Sequence, residues 1–278
     1  MRVDLHIHTT ASDGRWTPEQ VIAGVQAEGI GLFAISDHDS IANVAETERL
    51  ARAAALRFLR AVEISTTVGG NIFHILAYNI DLKAPALRSL LAENTAKMEA
   101  TDDHDIRALI ELGYPLDFEE YQHYTYERTR GGFKSLNYLL DKGLCASPQE
   151  FFEQLSPKFG RIWPDFLHPT ETVAVIRAAG GVPILAHPGA SFRNLGGVTE
   201  ATLNSLLPYG IAGVECYSQY HDEETTQRCV AWCERHDWLI TGGSDYHGGY
   251  VNRQLGVPVV DTSALSLGEL FAASCLGD

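Results

Sequence analysis

Two imidazoles stand two residues apart near the start of the chain, in Asp4-Leu5-His6-Ile7-His8. A strand would carry both on one face, about 6 to 7 Å apart at two strand rises. Two histidines so placed can hold one metal ion. An isolated pair has an ordinary reading as half-buried polar residues, so the weight falls on what accompanies it. Asp13 and His38 follow in loops after the first and second predicted strands, and Glu63, His74, His187, Asp245 and His247 come from later strand ends. Histidines and carboxylates desolvated together on one face would repel or stay unpaired unless cations sat among them. Mixed nitrogen and oxygen donors suit Mn²⁺, Zn²⁺ or Fe²⁺, and a set without cysteine argues against a structural zinc knot. A Ser-His-Asp triad is the rival hydrolytic chemistry, but Ser244, Asp245 and His247 lie too close along one strand end to face each other.

The elements that would position these residues repeat one pattern: a short apolar strand, a polar cluster, then a helix. Val3, Leu5 and Ile7 alternate with Asp4, His6 and His8. Thr17-Pro18-Glu19-Gln20 predicts a helix start with Thr17 as N-cap and Gln20 closing a capping box, and Gly29 predicts its end. A second strand, 32–35, runs into Ser36-Asp37-His38-Asp39, and an Ala-rich helix follows to about Leu56. The third strand is expected to end at Val62-Glu63-Ile64, with Gly69-Gly70 turning the chain back through 72–76. Later units end in Ala186-His187, in Glu215-Cys216-Tyr217 and in Gly243-Ser244-Asp245, separated by helices near 172–179 and 223–235. Alternating strands and helices, with polar residues gathered at strand C-termini, predict an α/β fold: a parallel (β/α) barrel with its site on that face. Residues 85–169 break the pattern and predict a helical insertion, a lid or substrate-binding element over a barrel made of 1–84 and 170–278.

The balance of 21 Lys+Arg against 36 Asp+Glu makes a phosphate-tracking surface for long nucleic acid a poor expectation. The first residues are too polar for a signal peptide and no apolar run approaches spanning length, so the expectation is a cytoplasmic protein without a membrane partner. The five cysteines, Cys145, Cys216, Cys229, Cys233 and Cys275, are odd in number and form no Cys-x-x-Cys pair, which implies neither a disulfide framework nor a thiolate site. The number of subunits has no signature in the sequence.

Within the insertion, Arg128-Thr129-Arg130-Gly131-Gly132-Phe133-Lys134 is basic and glycine-rich and precedes a predicted helix. In an acidic chain, Arg128, Arg130 and Lys134 are candidates for an anion site, against the plainer reading of an exposed helix start. Ser191 and Arg193, just after the His187-Pro188 turn, are further candidate phosphate contacts, while His104, His123, His168 and His236 lack partner motifs.

Taken together, His6-Ile7-His8, Ser36-Asp37-His38-Asp39, Val62-Glu63-Ile64, Ile184-Leu185-Ala186-His187-Pro188 and Gly243-Ser244-Asp245-Tyr246-His247 resemble the polymerase and histidinol phosphatase (PHP) family. The resemblance spans residues 2–80 and 170–258 and implies a distorted seven-stranded (β/α) barrel with a trinuclear centre. It implies His6, His8, Glu63 and Asp245 on a first metal, Glu63 bridging to a second held by His74 and His187, and Asp13, His38 and His247 on a third. A hydroxide bridging two divalent cations is available near neutral pH, and a third cation can polarise phosphate oxygens, so water rather than a side chain would be the nucleophile. Glu215-Cys216-Tyr217 with His221 resembles a family segment beside the metals, which nominates His221 for leaving-group protonation or phosphate binding and Tyr217 for substrate contact. From Arg128 to Pro169 the chain is similar to nucleoside 3′,5′-bisphosphate phosphatases of the family, with an arginine but without the Pro-His of their Gly-Arg-Pro-His.

The expected function is therefore a phosphoesterase acting on a phosphomonoester of a small metabolite or nucleotide. Three alternatives compete with it. A phosphodiesterase on a cyclic phosphate or short RNA ends would use the same metals. A metal-dependent amidohydrolase would not need Asp13, His38 and His247. A non-catalytic accessory domain of a polymerase would often lack ligands that this chain has.

Overall fold

The computed structural model of the protein describes residues 1–274, so Cys275 lies outside the described residues. Eight strands, β1 (Arg2–Asp4), β2 (Ile30–Ile35), β3 (Arg57–Val68), β4 (Asn71–Tyr78), β5 (Val182–Leu185), β6 (Gly213–Tyr217), β7 (Leu239–Gly242) and β8 (Val260–Asp261), form one sheet in the order β7-β6-β5-β4-β3-β2-β1-β8. The sheet curls until its ends meet. The Leu5 amide donates to the Gly242 carbonyl at 3.1 Å and the His8 amide to the Tyr246 carbonyl at 2.8 Å, which ties the chain beyond β1 to the end of β7 and the segment after it. The two-residue β8 pairs antiparallel with β1 outside this closure.

The sheet is mostly parallel, with the reversal expected at the Gly69-Gly70 turn. Strand β3 continues past Ile64 to Val68, turns at Gly69-Gly70, where φ is 55° and 79°, and returns as β4, antiparallel to both β3 and β5. A two-residue turn permits only an antiparallel return, so the hairpin itself imposes the reversal.

Strand alternation separates two buried faces. Leu59 and Ala61 of β3, Leu76 and Tyr78 of β4, Ile184 of β5 and Ala186 just after it fill the barrel with Leu32 and Ala34. Glu63 and His74 continue these same rows by two-residue steps, so barrel geometry aims them inward. The opposite rows, among them Val62, Ile64, Ile75, Ala77 and Leu185, pack under helices that include 169–178 and 223–236. The first helix, Pro18–Ala27, starts at the expected cap, with the Gln20 side chain accepting from the Thr17 amide at 2.9 Å.

Between β4 and β5 the chain is helical. Its longest helix, Pro85–Glu111, has 27 residues, about 40 Å at the α-helical rise, and serves two cores. Leu87, Leu90 and Leu91 pack against the barrel, whereas Ile106 and Leu109 join Tyr121, Leu136, Tyr138, Phe151 and Leu155 in a separate cluster. The packing thus changes partner in mid-helix rather than at residue 85. No helix among the described residues is long and apolar enough to cross a membrane.

Candidate metal centre

Glu63 is fully buried and is ringed by five imidazoles. Its Oε1 stands 2.8 Å from His187 Nε2 and 3.1 Å from His74 Nδ1, and its Oε2 stands 3.1 Å from His38 Nδ1 and 3.2 Å from the Nε2 of both His6 and His8. Asp245 Oδ1 lies 3.0 Å from His8 Nε2 and 3.4 Å from His6 Nε2. On the far side of His8, Asp13 Oδ2 is 3.3 Å from His247 Nε2, and the His8 and His247 rings stack at 4.0 Å. All nine sequence-predicted ligands therefore meet in one place, carried by loops and strand ends of β1 to β5 and β7. Three donor sets converge: His6, His8, Glu63 and Asp245; His38, Glu63 and His74; and His8, Asp13, His38 and His247.

Hydrogen bonding leaves this cluster unfinished. Glu63 Oε2, Asp245 Oδ1 and His187 Nδ1 are buried without a hydrogen-bond partner, and an unsatisfied buried polar atom costs about 1–3 kcal/mol, more when charged. His6 Nε2 faces His8 Nε2 at 3.1 Å, although His6 Nδ1, 2.9 Å from Glu215 Oε1, is the nitrogen placed to carry the ring proton. Two imidazole nitrogens meeting at that distance share either a proton or a cation. Donors about 2.1 Å from a four-coordinate ion stand about 3.4 Å apart, close to the spacing found here, so the residues fit divalent metals. The charges of the cluster act on one another strongly. Burial opposes ionisation of Glu63, yet the imidazoles of His6, His38 and His74 carry its carboxyl well below the usual range. Burial likewise opposes a charge on His8, but Asp245 and Glu63 push its pKa up to about 10, whereas at His38 burial wins and pulls it down to about 3.

A second layer fixes the donors. Glu215, in the middle of β6, accepts from His6 Nδ1 through Oε1 and from the His187 amide, 2.7 Å, through Oε2. Asp37 accepts from the Thr9 amide and from Ser12 Oγ, holding the loop that carries Asp13. His187 and Asp245 both have positive φ, 26° and 51°, backbone shapes that non-glycine residues keep only where neighbours enforce them. Glu215 was visible in sequence only as a carboxylate at a strand end, and Arg253, which pairs with Asp245, carried no signal. Ser244 Oγ is directed at the His6 carbonyl, 3.4 Å away, and not at an imidazole, so no serine triad forms.

Two adjoining cavities flank the centre and share Asp13, His38 and His74, together with Phe133, Phe152 and Trp163, as walls. One, of about 430 Å³, runs under the helical segment and is lined by Tyr126, Phe133, Phe152, Trp163, Phe166 and Arg161, with Arg128 and Lys134. The other, of about 420 Å³, lies over the barrel and includes Ser191, Asn194, Tyr220 and Arg253.

Several expected substrate contacts are positioned otherwise. Arg130 pairs with Asp141 through both terminal nitrogens, at 2.9 and 2.7 Å, and lines neither cavity. Tyr217 lines a separate cavity with Trp238 and Ser266. Arg193 is exposed on the turn 193–195, outside both walls. His221 has both ring nitrogens engaged: Nδ1 donates to the Cys216 carbonyl at 2.8 Å and Nε2 accepts from the Gly189 amide at 2.9 Å. With no ring atom left to protonate a leaving group, His221 braces the turn after His187. Cys145, Cys216, Cys229 and Cys233 are buried free thiols.

The family model of the PHP domain matches residues 4–159. The chain is 31% identical over 250 residues to the 5′-3′ exoribonuclease Rnm of Salmonella typhimurium, covering 88% of this chain and 84% of that one. It is 27% identical over 268 residues to the 3′,5′-nucleoside bisphosphate phosphatase of Chromobacterium violaceum, covering 91% and 90%. A crystal structure from Bifidobacterium adolescentis, described as that of a metal-dependent phosphoesterase, superposes with a TM-score of 0.83 at 26% identity over 98% of this chain and 96% of that one.

Proposed function

The chain belongs to the PHP domain family and is a metal-dependent phosphoesterase, and from that premise we propose that it hydrolyses a phosphate ester of a nucleotide at a centre of three divalent ions, Mn²⁺, Zn²⁺ or Fe²⁺. His6, His8, Glu63 and Asp245 hold the first ion. Glu63, His74 and His187 would hold the second, with His187 Nε2 2.8 Å from Glu63 Oε1 and 3.5 Å from His74 Nδ1, and Asp13, His38 and His247 the third, with His38 and His8 near enough to serve neighbouring sets. Bound ions supply an activated water and a Lewis acid for the phosphoryl oxygens. A full third set is what an amidohydrolase centre would not need.

The chain's own residues do the rest. Glu63 shares its two oxygens between two donor sets, and Glu215 keeps His6 turned with Nε2 inward. One observation carries the nucleotide reading: both cavities that open onto Asp13 and His38 are walled by Phe133, Phe152 and Trp163, flat rings suited to a base, and the one under the helical segment adds Arg128 and Lys134 for further anionic groups. The second cavity favours a further reading, a phosphodiester, because it offers room for another ester arm across the same ligands.

The test is hydrolysis by Mn²⁺-reconstituted protein of nucleoside monophosphates, nucleoside 3′,5′-bisphosphates, a short 5′-phosphorylated RNA, a cyclic phosphate, histidinol phosphate and sugar phosphates. Preference for nucleotides supports the proposal, and preference for the short RNA or the cyclic phosphate selects the diester form. Turnover confined to sugar phosphates or histidinol phosphate would overturn it.

A further inference from the structure

Asp245 follows β7 with φ of 51°, a left-handed backbone that needs enforcement in a residue bearing a Cβ. Arg253, from a loop eight residues on, supplies it. Its Nη1 donates to the Asp245 backbone carbonyl at 2.8 Å and lies 2.5 Å from Asp245 Oδ2, while its Nη2 donates to the Tyr220 hydroxyl. His247 Nδ1 meets the same carbonyl at 2.7 Å, so one carbonyl organises two ligands of different donor sets. The guanidinium is mostly buried, its side chain 18% exposed, against the wall of the barrel-side cavity.

The two Asp245 oxygens are thereby made unequal. Oδ2 is taken by Arg253, whereas Oδ1 is buried, without a hydrogen-bond partner, and faces His8 and His6. A carboxylate can give a cation one oxygen or both. We propose that Arg253 is a positioning residue that restricts Asp245 to one-oxygen ligation and so keeps a coordination position of the first ion free for substrate or water. The pairing also draws negative charge away from the ligating oxygen, which leaves the ion a stronger Lewis acid. This rests on the metal reading of His6, His8, Glu63 and Asp245.

The test loads wild-type, Arg253→Met and Arg253→Lys proteins with Co²⁺, whose visible absorption weakens as its coordination number rises. Arg253→Met frees Oδ2. The expected result is retained Co²⁺, weaker absorption, and kcat lowered about 10- to 100-fold with KM little changed, the scale of losing a group that orients a metal ligand. Arg253→Lys keeps the charge and is expected to recover part of both signals, since an ammonium can meet Oδ2 but not Oδ2, the carbonyl and Tyr220 together. It also serves if the Met variant does not fold. Unchanged absorption and kcat in both variants would overturn the proposal, as would loss of Co²⁺ from both, which would make Arg253 a structural brace. A rise in KM alone would make it a substrate contact, with the same consequence. Wild-type protein that takes up no Co²⁺ would overturn the metal reading, and this proposal with it.

Discussion

Gly132 donates its amide to the Asp13 carbonyl at 2.7 Å, so the strap between Arg128 and Lys134 is tied to the loop that carries a candidate ligand. Gly132 has φ of 71°, and a methyl group there would run into the Tyr250 hydroxyl. Gly132→Ala is expected to cost about 1–3 kcal/mol of stability through backbone strain and the clash. Moving the strap off Asp13 is expected to lower nucleotide kcat/KM about tenfold. Gly113→Ala is the control, because φ there is 86° but the space is open. Equal activity losses in the two variants would separate the strap from the centre.

Glu63→Gln keeps the volume but replaces an oxygen facing imidazole nitrogens with an amide nitrogen, or leaves a neutral oxygen where two donor sets need a charge. Metal content, read by elemental analysis, is expected to fall from about three ions per chain, and turnover by about 10²-fold or more. The far-ultraviolet circular dichroism is expected to survive, because Leu59, Ala61, Leu76 and Ile184 fill the barrel without this side chain. Near wild-type turnover would remove Glu63 from its shared role.

That the nine ligand residues converge was legible in the sequence because Glu63 and His74 lie on inward rows of β3 and β4, where a two-residue period fixes which side chains share a face, and the others lie in the segments just after strands. Glu63 follows Ala61, and His74 precedes Leu76, by that rule. What escaped depends on contacts distant in sequence. Arg130 is held by Asp141 at the end of the next helix, and His221 by the Cys216 carbonyl and the Gly189 amide, partners that no local motif announces. Arg161, with no motif around it in the sequence, reaches back 56 positions to Asp105 inside the helical segment. The antiparallel β4 was implied by Gly69-Gly70, yet the strand-helix alternation elsewhere pointed to a parallel sheet.

The Arg161 pairing leads to a pH prediction. Burial pushes the Asp105 carboxyl up to about 7, with Arg161 opposing and Asp102 adding to the rise. Between about pH 4 and 7 the folded state therefore keeps a proton that the unfolded chain has released, and stability falls as pH rises across that window. The slope from this group is at most about 1.4 kcal/mol per pH unit and ends above pH 7. Asp105→Asn removes it. Thermal unfolding from pH 5 to 8 is expected to show a flatter Tm profile for the variant, with its largest advantage over wild-type at the alkaline end. Parallel profiles would mean that Asp105 is ionised throughout.

The last expectation separates recognition from chemistry along the strap. Arg128 and Lys134 line the aromatic cavity, Arg128 donating to the Tyr126 hydroxyl at 2.6 Å and Lys134 to the Gln122 carbonyl at 2.9 Å, whereas Arg130 is committed to Asp141. Arg128→Gln or Lys134→Gln is therefore expected to raise KM for the preferred nucleotide about tenfold, while Arg130→Gln changes it little. A small activated aryl phosphate needs only the metal centre, so its hydrolysis should be nearly unaffected in all three variants, because binding remote from the reacting bond is what the strap contributes. Ionic strength must be fixed, since exposed charges are screened over about 10 Å at 0.1 M salt. Equal losses on both substrates would move Arg128 and Lys134 to the reacting phosphate. No loss on either would return the strap to an exposed helix start, and a large effect confined to Arg130→Gln would mean that its ion pair with Asp141 opens when substrate binds.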